Sequence, residues 1–90
     1  MRHYKITAKG KVQGVGFRNF TKAYADSKGY KGSVQNLANG HVEIFVSLED
    51  LGDFLAALQK GNGRMKASSF EIEHLDSLDS MEFSSFEVLP

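Results

Sequence analysis

Residues 4 to 9 place Tyr4, Ile6 and Ala8 in alternation with Lys5, Thr7 and Lys9. This period-two pattern commits the start of the chain to a strand with one buried face and one wet face. The alternation runs into Lys11-Val12-Gln13-Gly14-Val15-Gly16-Phe17-Arg18, where two glycines stand among β-branched residues just ahead of a cation. Beyond it the period changes. Phe17, Phe20, Thr21, Tyr24 and Ala25 recur at helical spacing, with Lys22 and Asp26 on the other side, and Gly29 supplies a stop. The strand is expected to end near Lys11 and the helix to begin near Phe17, so the glycines fall on the connection.

Residues 30 to 37 and 41 to 46 read as two further strands, joined at Asn39-Gly40 by the dipeptide most typical of a tight hairpin turn. In the second of them Val42, Ile44 and Val46 are expected to face the core, and His41, Glu43 and Phe45 to face away. Ser47-Leu48-Glu49-Asp50 resembles a capping box, weaker for having Asp where Glu is best, and Leu51, Phe54, Leu55 and Leu58 follow at helical spacing. That second helix is expected to end near Gly61-Asn62-Gly63. FEIEHL (70 to 75) alternates again, and FEVLP (86 to 90) gives a last short strand whose proline suits an edge or an end. SLDSMEFSS (77 to 85) is polar enough to be a loop. The order β-α-β-β-α-β with an extra terminal strand predicts an α+β fold, the ferredoxin-like βαββαβ sandwich. It has a mainly antiparallel sheet of four to five strands with two helices on one face.

Ninety residues form one small domain and cannot hold two independent cores, so residues 1 to 90 are expected to act as a single unit. The chain has no cysteine, and His3, His41 and His74 show no ligand spacing, so no structural metal and no cofactor is expected. Eleven Lys+Arg balance eleven Asp+Glu, which lacks the basic footprint of a nucleic-acid binder. No apolar run is long enough for a signal segment or a membrane span. A soluble, cytoplasmic monomer that binds neither nucleic acid nor membrane is the expectation.

The connection between the first strand and helix is where chemistry is expected. The first N–H groups of a helix have no intrahelical acceptor, and glycines at positions 14 and 16 permit positive φ, so that successive amides can converge on one point. Arg18 adds a planar, permanently charged fork suited to phosphate oxygens. Its placement opposes the helix dipole at a cost of about 0.3 to 1 kcal/mol, and no Ser, Thr, Asp or Asn occupies the N-cap. A bound anion removes both objections. From the residues alone, an anion cradle and an ordinary strand-to-helix turn both remain open, since glycine pairs are weak motifs.

Two stretches, KGKVQGVGFRNFTKAYA and KGSVQNLANGHVE, resemble the acylphosphatase family, whose signatures are a G-x-V-Q-G-V-x-F-R loop and a downstream G-x-V-x-N strand, turn and V-E. Here these are Gly10 to Arg18, Gly32-Ser33-Val34-Gln35-Asn36, and Gly40-His41-Val42-Glu43. The resemblance implies metal-free hydrolysis of a small-molecule acyl phosphate to a carboxylate and inorganic phosphate. It also implies roles: Arg18 binds the phosphoryl group, Asn36 positions the attacking water, and the amides of Gln13, Gly14, Val15, Gly16, Phe17 and Arg18 hold the phosphate oxygens. A free phosphate or sulfate ion is expected to fit the same loop. The chain departs from the family pattern at Ser33, where an aromatic is usual, at Gln35, where a basic residue is common, and at Asn39, where Asp is frequent. These departures bear on rate, affinity and stability rather than on reaction type.

Two other functional classes compete with the enzyme. A non-catalytic phosphate or acyl-phosphate binding module would keep the loop without turnover. Single-stranded RNA binding on the open sheet face is a second, since one fold hosts unrelated functions. KGYKGSVQ (28 to 35) begins like the RNA-recognition signature, but Lys31, Gly32 and Ser33 break it, and only Phe45 is a clear aromatic on that face. Phe17, Phe20 and Tyr24 share one helical face and read as core packing. The three histidines and Glu43, Glu71 and Glu73 read as structural or solvated residues.

Overall fold

The alternation at the start of the chain becomes β1 (Arg2–Lys11), with Tyr4, Ile6 and Ala8 buried, in a computed structural model that describes residues 1–76 and 83–90. Most of the SLDSMEFSS segment, residues 77–82, lies outside the described residues. β1 pairs antiparallel with β3 (Val42–Leu48) on one side and β4 (Lys66–Leu75) on the other. β3 in turn pairs antiparallel with β2 (Lys31–Asn36), and β5 (Phe86–Leu89) closes that edge parallel to β2. Among the described residues the sheet order is β4-β1-β3-β2-β5. This is the mainly antiparallel, ferredoxin-like arrangement with the extra terminal strand.

The register has one consequence for function. Val42 pairs with Ala8 on one side and with Asn36 on the other, so the three residues form a row across the sheet. Two strand spacings, about 10 Å, separate Ala8 from Asn36. Asn36 therefore sits on the strand end that flanks the loop leaving β1.

Helices α1 (Phe17–Lys28) and α2 (Leu51–Lys60) cover one face. Phe17 and Ala25 from α1, Phe54 and Leu58 from α2, and Ile6, Ala8, Val34, Val42, Ile44 and Val46 from the sheet belong to one buried core. Gly29 ends α1 in a left-handed conformation and Gly61 caps α2, at the stops read from the sequence. The two helices are tied at their surface: the Tyr24 hydroxyl donates to Asp53, and the Lys28 ammonium stands 3.9 Å from the same carboxylate. The hydrogen bond to Asp53, aided by desolvation and by the nearby carboxylate charge, pushes the Tyr24 hydroxyl up to about 12.

The structure corrects the start of α2. Ser47 is not its cap: the strand continues through Leu48, Ser47 pairs with both His3 and Lys31, and its hydroxyl lies 2.7 Å from His3 Nδ1. A ladder on both sides holds Ser47 extended, and the capping role passes to Asp50, whose Oδ1 accepts the Asp53 N–H at 3.0 Å. The hairpin turn also differs in detail. The Leu37 N–H donates to His41 O at 2.8 Å and the Gly40 N–H to Leu37 O at 3.2 Å, and only Gly40 has positive φ. Asn39 serves through its side chain, which accepts the His41 N–H at 3.0 Å. Ser33, at the position where an aromatic is usual, is buried.

Two stability measurements check this description. Asp50→Ala should lower unfolding free energy by about 1 kcal/mol in urea titration, the cost of losing an N-cap; an unchanged midpoint would contradict the assignment. The raised Tyr24 pKa contributes stability fully present below its unfolded value of 10.0 and lost as pH rises toward about 12. Tyr24→Phe should therefore flatten the stability profile over that alkaline window.

Candidate functional site

The loop between β1 and α1 is built by alternating inward side chains and bare backbone. Val12, Val15 and Phe17 are buried and anchor it to the core. Between them, Gly14 and Gly16 have φ of 73° and 83°, a region in which an L side chain costs roughly 1–2 kcal/mol. Gly16 is the N-cap of α1 and offers no side-chain cap. The first helical bond runs from the Phe20 N–H to Gly16 O at 3.0 Å, so the amides of Phe17, Arg18 and Asn19 precede it and have no intrahelical acceptor.

The residues that carry these amides border a cavity of about 200 Å³ lined by Val12, Gly14, Gly16, Phe17, Arg18, Asn19, Asn36 and Val88. A single water needs only about 10–15 Å³, so the space has room for a larger polyatomic group. Arg18 is half-buried, and its Nη1 donates to Leu89 O at 3.0 Å. That bond employs one of the five guanidinium donors, and the terminal strand β5 thereby steadies the side chain. Across the cavity, Asn36 Oδ1 is buried and has no hydrogen-bond partner among the described residues. A buried acceptor left unsatisfied costs about 1–3 kcal/mol, so its place on a cavity wall is informative.

Two side chains hold this loop from outside the cavity. Gln13 Nε2 donates to Leu37 O and to His41 O, both at 2.8 Å, which fastens the loop to the hairpin that carries Asn36. On the opposite flank Asn62 Nδ2 donates to Val15 O at 3.0 Å, while Asn62 Oδ1 accepts the N–H groups of Arg64 at 2.9 Å and Met65 at 3.0 Å. Because a trans peptide directs its C=O and N–H to opposite sides, turning the Val15 carbonyl toward Asn62 turns the Gly16 amide away from it.

Of the residues singled out in the sequence, Gly14, Gly16, Phe17, Arg18 and Asn36 come together around the one cavity. Gln13 and Val15 stand behind it, Gln13 as the clamp to the hairpin and Val15 as a buried anchor. Sequence reasoning missed Asn19, Val88 and Asn62. Gly61-Asn62-Gly63 carried only a helix-stop signal, and no local pattern ties Asn62 to Val15. Gln35, one of the departures from the family pattern, donates to Pro90 O at 3.0 Å. Glu43 and Glu71 pair with Lys5 and Lys9 on the open face. Among the described residues no helix is long and apolar enough to cross a membrane.

Comparison with known proteins agrees with this geometry. The family model described as acylphosphatase matches residues 4–88. An acylphosphatase of Bacillus pumilus is 42% identical over 77 residues, which cover 83% of this chain and 86% of that protein. The crystal structure of acylphosphatase from Bacillus subtilis matches with a TM-score of 0.89 at 32% identity, covering 100% of both chains. HypF of T. kodakarensis matches with a TM-score of 0.83 at 26% identity, over 100% of this chain but 12% of that one, so the fold there is one part of a longer protein.

The Gln13 clamp can be tested directly. Gln13→Ala removes both bonds to the hairpin carbonyls and should lower unfolding free energy by about 1–3 kcal/mol. A urea midpoint equal to that of the wild type would show that loop and hairpin are held together by other means.

Proposed function

This chain belongs to the acylphosphatase family and hydrolyses the carboxyl-phosphate bond of acyl phosphates; we propose that Arg18 binds the phosphoryl group and Asn36 positions the attacking water. The observation that carries this assignment is the shared cavity. A guanidinium held at the start of α1 and an unpartnered buried acceptor at the end of β2 line the same space.

The chemistry suits these groups. Phosphoryl transfer through a loose transition state asks mainly for positioning and charge stabilisation. The amides from Gln13 to Arg18, with the remaining donors of Arg18, take the phosphate oxygens. Asn36 Oδ1 accepts a hydrogen bond from water and holds it for attack on phosphorus. As the water oxygen bonds to phosphorus, the bond from phosphorus to the acyl oxygen breaks and its electron pair leaves on a carboxylate. Both water protons remain with the phosphate product. The leaving carboxylate has a conjugate-acid pKa of about 4 to 5, by analogy with Asp and Glu, so no protein acid has to protonate it. A phosphate monoester would expel an alkoxide and needs the acid that this constellation lacks.

A non-catalytic binding module is not favoured, because relatives that match over most of the chain are acylphosphatases. The proposal extends to a monomeric, cytoplasmic enzyme whose 1–90 span acts as one unit, and to inorganic phosphate or sulfate competing for the loop.

Release of phosphate from benzoyl phosphate, with a chelator present, tests the assignment. The wild type should turn over at a chelator-insensitive rate and leave alkyl monoesters intact. Arg18→Gln and Asn36→Ala should each lose about 100- to 1,000-fold in kcat/KM, the range for removing one preorganised group at a reacting centre. Full activity in both variants would refute these roles, and comparable turnover of monoesters would refute the leaving-group argument.

A further inference from the structure

A second arginine, on the turn between α2 and β4, stands beside Gly16, one of the residues that line the cavity. Its backbone is fixed. The Arg64 N–H donates to Asn62 Oδ1 at 2.9 Å, Asn62 is bonded to Val15 O at 3.0 Å, and the next residue, Met65, is buried. From that anchored position the side chain reaches back over Gly16. Arg64 Nη2 lies 3.0 Å from the point a Cβ on Gly16 would occupy, so the guanidinium rests against the bare wall that Gly16 contributes.

Arg64 makes no ion pair among the described residues, as is also true of Arg2, Lys11, Lys31, Lys60 and Lys66, so it is its position beside the loop that sets it apart. It brings a further positive charge to the end of α1 where Arg18 already opposes the helix dipole, an arrangement that favours an anion between or beside them. Finally, it is exposed and absent from the cavity lining, while Arg18 and the loop residues line the interior. Its guanidinium thus stands beside a lining residue and outside the cavity, where it can meet a group that extends past Gly16 but not one held inside.

With the phosphoryl end in the cavity, the part of the substrate that projects is its acyl half. We infer that Arg64 is a specificity residue that binds an anionic group carried on that acyl half, favouring acyl phosphates with a second negative charge. The inference rests on the reading that the cavity takes the phosphoryl group. It concerns only the part of the substrate about which Arg18 and Asn36 say nothing. A planar fork suits a carboxylate or a phosphate equally, so the ligand class is an oxyanion at the far end of a short acyl chain or ring.

The test compares two substrates of nearly equal size: benzoyl phosphate bearing a carboxylate on the ring, and its neutral carboxamide counterpart. The kcat/KM ratio between them is measured for wild type, Arg64→Gln and Arg64→Lys. Changes in the ratio between variants cancel the intrinsic reactivity of the two compounds. Arg64→Gln should reduce the preference for the carboxylate substrate by about three- to tenfold, between the values typical of exposed ion pairs and of charge-assisted hydrogen bonds. Arg64→Lys should keep part of it, and the wild-type preference should shrink at high salt, as expected of a solvent-accessible pair. An unchanged ratio in Arg64→Gln would overturn the inference. So would an equal loss on both substrates, which would place Arg64 on the phosphoryl group or in the stability of the turn. Absence of turnover of either compound by the wild type would overturn the enzyme reading, and this inference with it.

Discussion

The position of β3 between β1 and β2 is the constraint on which the site depends. Val42 pairs with Ala8 and with Asn36, so the strand that launches the loop and the strand that ends in Asn36 keep a fixed offset across the sheet. Side chains two apart on a strand share a face, and Asn36 accordingly lies on the side of buried Val34, toward the helices. A register slip of one residue would turn Asn36 to the open face and expose Val34 along with it. Burial of Val34, Val42, Ile44 and Val46 thus specifies both the core and the location of a polar group at its rim. Gln13 then ties the loop that leads to Arg18 to the same hairpin that carries Asn36.

Several features of the site are locally unfavourable and are carried by that core. The start of α1 has no side-chain cap and holds a cation in its first turn; a cation there costs about 0.3–1 kcal/mol by the dipole argument. Asn36 Oδ1 is a buried acceptor without a protein partner among the described residues. Two glycines adopt positive φ within three positions. Each would be a defect in a loop that only connected a strand to a helix. On the proposed reading an anionic substrate turns the uncapped amides, the cation and the glycine backbone into binding groups, while the attacking water donates to Asn36 Oδ1, the usual relation between local strain and function.

Much of the fold was legible because the apolar residues keep their periods. The alternation of Tyr4, Ile6 and Ala8, the stripe from Phe17 to Ala25, and the glycines after each helix sufficed to place most elements close to their observed limits. Ser47 misled because Ser-x-x-Asp can begin a helix, and only the long-range pairing of Ser47 with His3 and Lys31 keeps it in the strand. At the site, Arg18 and the loop glycines carried a local signal, whereas Asn36 became readable only through a family motif, since a polar residue at a strand end is unremarkable by itself. The hold of Asn62 on Val15 and the approach of Arg64 to Gly16 arise from how the α2–β4 turn docks, and spacing along the chain contains no trace of either.

The central claim is that Arg18 and Asn36 act on one bound substrate as a unit. A double-mutant cycle on kcat/KM for benzoyl phosphate, with Arg18→Gln, Asn36→Ala and both together, measures this coupling. Groups that act as a unit are strongly non-additive, so the double variant should be little worse than the more damaged single variant. A loss in the double variant equal to the product of the two single losses would mean that the residues act independently, and would contradict the account.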